Sequence, residues 1–291
     1  MNSLSGSKNT NLRVPTPSNP SSLPPRYEIR QLQPEHLEWV MAIVIHSNVF
    51  YSPVWTVLYP DYLTDKLHEA MRNGKYLFEH QIKSGLSFGV FDTEYTFKRA
   101  ESAPTGGKLY WDESEPEVKS SQGVQAESKR LLEQMDFPLV SVAMSYDGIN
   151  ALDLKKMEPM LQVLPHFGLI YHILDVLDQR APETWKATGD GQVLMRNATS
   201  TRRDYEGQGI MAALARWLMR EAAGKGYRGI QIESINNAVA HVWGKAEPPF
   251  EGTVISEFDT ATWADEEGKH AFEPAKQVCK KIWVDLKATE K

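Results

Sequence analysis

Apolar and polar residues alternate over 27–32, the two-residue period of a half-buried strand. Pro34 then stands where a helix tolerates proline best, and Leu37, Val40, Met41 and Val44 follow at helical spacing. The pattern predicts a second helix over 61–72, closed by Asn73 and Gly74. Residues 86–91 and 139–144 read as strands. Between them, residues 98–130 are polar, with Gly106-Gly107, many serines and glutamates and few large apolar groups, and read as a long mobile excursion. Residues 151–180 carry apolar stripes, Met157, Leu161 and Leu164 and then Leu169, Ile173 and Leu177. Pro165 cuts that helical pattern into two pieces.

The C-terminal half is patterned more strongly. A strand over 193–199 runs into a charged turn and Gly207-Gln208-Gly209, after which Ile210, Leu214, Trp217 and Leu218 share one helix face. Gly224 and Gly226 close that helix. Ile230 and Ile232 alternate in a further strand, a helix follows over 237–243, and 254–258 and 282–286 read as final strands. Strand and helix alternating in this way predict an α/β fold.

Residues 1–25 are rich in Ser, Asn and Pro and read as a disordered tail, leaving one domain over 26–291. With Lys8 and Arg13 as its only basic residues, the tail does not read as a transit peptide, which favours a cytoplasmic or nuclear location over a mitochondrial one. Asn197-Ala198-Thr199 spells a glycosylation sequon, a chance match if no secretory leader precedes it. A chain of 291 residues can bury a sizeable core. Its net charge of -6 lacks the basic excess of a nucleic-acid binder. No apolar run reaches the ~20 residues of a membrane span. One cysteine, Cys279, cannot form an internal disulfide or a cysteine-based metal site, and no metal is expected.

Phosphate-loop, HExxH and GxSxG signatures are absent, and the eight histidines are scattered. The candidate chemistry lies in 201–212, Thr-Arg-Arg-Asp-Tyr-Glu-Gly-Gln-Gly-Ile-Met-Ala. Glycines at 207 and 209 let the backbone approach a ligand, and a helix starting there aims unpaired N–H groups outward. Such a helix start suits a pyrophosphate, with Arg202 and Arg203 adding positive charge. A glycine turn that merely starts a helix fits the same residues. So does a dinucleotide fingerprint, since 207–212 spells GxGxxA and Glu233 ends the next strand. Against the latter, a charged turn rather than an apolar strand runs into the first glycine.

Residues 193–243 resemble the coenzyme core of the GNAT superfamily of acyl-CoA-dependent N-acyltransferases. Glu206-Gly207-Gln208-Gly209-Ile210-Met211 occupies that family's [Q/R]-x-x-G-x-[G/A] turn, Ile230 and Ile232 its next strand, Asn236 its asparagine, and Val239, Val242 and Trp243 the helix after it. The resemblance implies a mixed, mostly antiparallel central sheet flanked by helices, with 98–130 and 151–186 as insertions. It implies acetyl-CoA as co-substrate, an amine as acceptor and direct acyl transfer between them. Asn197, Ala198, Thr199, Ser200 and Thr201 would pair with the pantetheine arm, and the turn from Glu206 to Ala212 would hold the pyrophosphate. Asn236 and Trp243 complete the implied coenzyme site. For the proton-transfer group, Glu233 is the first candidate and Tyr171 and His172 the next. Phe50, Tyr51, Trp55 and Tyr59 fall where the family shapes an acceptor pocket. Three positions depart from the pattern: Glu206 for Gln or Arg, Met211 for a small residue, and Trp243 for a tyrosine that can protonate a leaving thiolate. An indole cannot be that acid, so a non-catalytic acyl-CoA-binding module of the same fold is the alternative.

Overall fold

The computed structural model describes residues 14–286. Seven strands make the central sheet: β1 Tyr27–Gln31, β2 Phe88–Asp92, β3 Leu139–Asp147, β4 Val193–Thr201, β5 Gly229–Ser234, β6 Glu251–Asp259 and β7 Val278–Asp285. Their spatial order is β1-β2-β3-β4-β5-β7-β6. Neighbours are antiparallel except β4 and β5, which run parallel. A dinucleotide fold needs a mostly parallel sheet, so this topology removes that reading of 207–212.

The sheet separates two apolar layers. Leu139, Val142 and Met144 face a layer that contains α1 Leu37–Tyr51, α2 Leu63–Asn73, α3 Lys75–Lys83, α4 Val124–Glu133 and α5 Leu154–Val163. Phe88, Val90, Ile230 and Ile232 face the opposite layer, with α7 Ile210–Gly224 and α8 Asn237–Gly244. α6, Pro165–Val176, packs with Trp55 and Phe272 in a smaller third cluster. Val40 to Ile45 in α1 are all buried, so this helix is covered all round rather than on one stripe.

Several sequence expectations change. Gly74 does not stop the helical chain: its backbone stays near helical values, and α3 starts immediately after it. Residues 98–130 are anchored rather than mobile. Buried Glu127 accepts from Arg130, Thr64 and the Val118 N–H. Buried Asp136 accepts from Ser102, Tyr95 and the Lys98 and Arg99 N–H groups. These polar residues supply order through buried hydrogen bonds, which hydrophobic periodicity cannot register.

The expected disordered tail also changes over 14–25. The Trp217 indole donates to the Asn19 carbonyl at 3.1 Å, and Arg220 reaches the Asn19 side chain at 2.9 Å and the Pro20 carbonyl at 3.0 Å. The segment therefore docks on α7. Residues 1–13, the rest of that tail, lie outside the described residues. Among the described residues no helix is long and apolar enough to cross a membrane.

Candidate functional site

The site begins where two parallel strands part. β4 and β5 pair only from Val193–Gly229 to Arg196–Ile232. Beyond Arg196, β4 continues to Thr201 on β3 alone. A bulge sets Ala198 opposite Met144 and Arg196 opposite Ser145, leaving Asn197 without a partner residue. One edge of 197–201 thus has no strand beside it, and its backbone groups face the gap between β4 and β5.

The sequence from β4 into α7 forms the floor of that gap. Gly207 and Gly209 both sit in the left-handed region, at φ 78° and 74°, and a Cβ at either would meet nothing within 4 Å. The turn therefore needs glycine for its backbone, not for packing. The first intrahelical bond of α7 runs from the Ala213 N–H to the Gly209 carbonyl, so the N–H groups of Ile210, Met211 and Ala212 have no carbonyl behind them in the helix. They carry the positive end of the helix dipole.

A cleft of about 480 Å³ joins these features. It is lined by 197–201, Arg203, Glu206, Gly207, Gly209 to Ala212, Glu233 and Asn236 on one side, and by side chains of α1, α3, α5 and α6 on the other. The far side is mainly apolar, with Val44, Val49, Leu77, Phe78, Met160 and Phe167, and Ser47, Asn48 and Ser52 add polar groups to it.

Glu233 enters from β5. It accepts from the Gln231 amide at 3.0 Å and lies opposite Lys281 of β7. Burial raises its pKa to about 7; Lys281 opposes that rise, but its ammonium also faces Asp175 at 3.2 Å and Asp178 at 3.3 Å. A carboxyl poised near neutrality can take a proton at physiological pH. Tyr171 enters from α6, and its hydroxyl accepts from the Asn197 amide at 3.1 Å. Gln81 of α3 donates to the other end of that amide at 3.1 Å, fixing which way Asn197 points. Burial and the nearby Glu233 push the Tyr171 phenol well above its ordinary range. Tyr171 therefore stays protonated at neutral pH and cannot be a base. With Asn197 as its donor, its own proton is free for a cleft occupant.

Other expectations are corrected by position. His172 is exposed on α6 and does not line the cleft. Gln208 does not line it either; its side chain turns back to accept from the Tyr27 hydroxyl at 2.7 Å, tying the turn to β1. Trp243 is fully buried in the α8 layer, away from the cleft. Asn236 lines the cleft, but its carboxamide oxygen is committed to the Ala238 N–H at 2.8 Å as the cap of α8. Arg202 does not charge the site. It is buried, paired with Asp204 at 2.8 Å and bonded to the Phe137 carbonyl. Arg203 does line the cleft, where it pairs with Glu206 and lies 4.4 Å from the Tyr51 ring centroid. Of the expected acceptor aromatics, Tyr51 and Trp55 line the cleft; Phe50 and Tyr59 do not. The sequon asparagine, Asn197, is engaged inside the cleft.

The sequence reading missed Gln81, which orients Asn197, and Arg196, which lies buried behind Ala198 and Thr199. The visible signal for Arg196 was an arginine directly after the apolar run Val193-Leu194-Met195 of a strand.

No protein-family model and no curated protein matches the chain in sequence. Solved structures do resemble it. The C-terminal condensation domain of Ebony, solved with beta-alanyl-dopamine, superposes with a TM-score of 0.56 at 15% identity, covering 88% of this chain and 97% of that one. Arylalkylamine N-acetyltransferase 2 from Aedes aegypti gives 0.52 at 11% identity, covering 90% and 99%. At such identities the likeness speaks for the fold alone: a mixed, mostly antiparallel central sheet flanked by helices, shared with these two structures.

Proposed function

We propose that the chain is an acyl-CoA-dependent N-acyltransferase that moves an acetyl or related acyl group to a primary amine by direct attack. The observation that supports this best is one cleft in which a free strand edge, an uncapped helix N-terminus and a carboxyl group titrating near 7 face one another. The free edge of 197–201 offers backbone donors and acceptors to an extended amide-bearing arm. The start of α7 offers N–H groups to a pyrophosphate. Backbone groups do both jobs, so Glu206 and Met211 in place of the usual residues need not abolish them. Acyl-CoA, when bound, supplies an activated thioester.

In this reading Glu233, as carboxylate, removes the proton from the incoming ammonium, directly or through water. Tyr171, held protonated, donates a hydrogen bond into the cleft. The acceptor side has mainly apolar walls, and Glu233 faces it from β5. A single amine on an apolar body fits that lining better than a polycation, whose further charges would be buried unpaired. The names of the similar structures, an arylalkylamine N-acetyltransferase and a domain holding beta-alanyl-dopamine, are compatible with such an acceptor.

Calorimetric titration with CoA and acetyl-CoA, with NADH as control, tests the coenzyme. Saturable binding of the CoA compounds alone is the expected result. An arylalkylamine panel read by thiol release then tests turnover. The second reading, a non-catalytic acyl-CoA-binding module, is favoured by Trp243, which lies buried off the cleft and carries no acidic hydroxyl. Binding without thiol release from any amine would select it.

A further inference from the structure

Arg196 is 1% exposed and sits at the bulge of β4, yet among the described residues no carboxylate bonds to it. One terminal nitrogen donates to the Met144 carbonyl and, at 3.1 Å, to the Ser145 hydroxyl. The other donates to the Ala198 carbonyl at 3.1 Å and to the Thr199 hydroxyl oxygen. Its Nε is buried without a partner, as is the indole N–H of Trp243, whose ring the guanidinium faces at 5.4 Å. Burial alone pulls the guanidinium down to about 9, with no neighbouring charge to offset it. An uncompensated buried cation is costly, and here its two terminal nitrogens are spent on the carbonyls and hydroxyls around the bulge.

Ala198 and Thr199 both line the cleft, so the guanidinium lies one residue's width behind its wall. Because the Thr199 oxygen accepts from Arg196, the hydroxyl proton of Thr199 is free to point away from Arg196. We propose that Arg196 is a positioning residue that, through the Thr199 hydroxyl and its own positive charge, stabilises the sulfur of CoA as a thiolate in place of protonation by a tyrosine. This rests on the acyl-CoA reading of the cleft. The step balances without a further acid: Glu233 takes one proton from the ammonium before attack, the amine–carbonyl bond forms, the second nitrogen proton leaves to water as the adduct collapses, and the carbon–sulfur bond breaks with its electron pair staying on sulfur. Of the titratable groups that line the same cleft, Glu233 on β5 opposes the effect when charged and Tyr171 on α6 is held neutral by burial; neither acts on the charge of Arg196 itself.

The test needs no acceptor. The thiol of CoA bound to the full chain is titrated by thiolate ultraviolet absorbance, against the same protein with desulfo-CoA. In the wild type the bound thiol should ionise about one pH unit below free CoA, tenfold in favour of thiolate. Thr199→Val should lose part of that shift and Arg196→Met all of it, whereas Arg196→Lys, keeping charge without the fork, should keep part. Thermal melts identify variants that fail to fold. A wild-type bound thiol that ionises like free CoA overturns the proposal even if no Arg196 variant folds. So does a folded Arg196→Met that retains the shift, or a Tyr171→Phe that abolishes it while folded Arg196→Met does not. Absence of CoA binding by the wild type overturns the coenzyme reading itself and is told apart at the binding step.

Discussion

The two ends of the cleft are built from different materials. The end around α7 comes from one continuous run, 197–212, and presents mainly backbone: a free strand edge, two left-handed glycines and the first N–H groups of a helix. The opposite end is assembled from α1, α3, α5 and α6, far apart in the chain, and presents side chains. A backbone site is indifferent to most side-chain changes and sensitive to backbone geometry. A side-chain site is the reverse. In the proposed reading the first end fixes the coenzyme, and the second fixes the acceptor and the proton transfer.

The largest effect should come from a single atom-for-group change where the two ends meet. Glu233→Gln removes the base while keeping shape, and turnover should fall by ~10²-fold or more with CoA affinity unchanged. Unchanged turnover would remove Glu233 from the mechanism. The same residue sets a pH signature. Turnover should rise as pH increases through about 7, where Glu233 deprotonates, and level off above it. Its effect on stability has the opposite sign. The folded protein holds Glu233 above its ordinary value of 4.5, so the burial cost is absent below that pH and complete above about 7. Denaturant titrations should therefore find Glu233→Gln more stable than wild type at pH 8 and indistinguishable at pH 4.

A backbone change at the other end should rank next. Gly209→Val forces a β-branched residue to φ 74° and should weaken CoA at least ~10-fold, through strain of ~1–2 kcal/mol and a side chain over the phosphate site. Calorimetry that finds undiminished affinity would place the coenzyme elsewhere. The smallest effect is expected from a side chain at this same end. Glu206→Gln removes a carboxylate beside the helix start and frees Arg203, so CoA should bind a few-fold tighter, and less so at high salt. A large effect from Glu206→Gln would mean that this end is not backbone-built after all.

The contrast also explains what could be read before the fold was known. The run from β4 through Gly207 and Gly209 to Ala212 was legible because its chemistry is local: strand, glycines and helix start are adjacent in sequence, so spacing alone constrains them. The α7 face, Ile230 and Ile232, and the break at Pro165 were legible for the same reason. Residues 98–130 were not, since Glu127 and Asp136 look like surface charges until partners from elsewhere bury them. His172 and Tyr171 differ by one position on α6; helix geometry sent one hydroxyl into the cleft and the imidazole to solvent.

What the sequence determined by itself was therefore the periodicity of the elements, the left-handed turn that only glycine adopts easily, and the helix dipole behind it, all consequences of local backbone sterics. The tertiary structure decided the rest. It parted β4 from β5 after Arg196, turned Gln208 and Arg202 away, and buried Trp243. It also brought Gln81 and Tyr171 together on Asn197, set Glu233 in the same cleft, and left Arg196 without a counter-charge among the described residues. Those outcomes depend on burial and on partners distant in sequence, and desolvation, which sets the charge state of Glu233, exists only once the chain is folded.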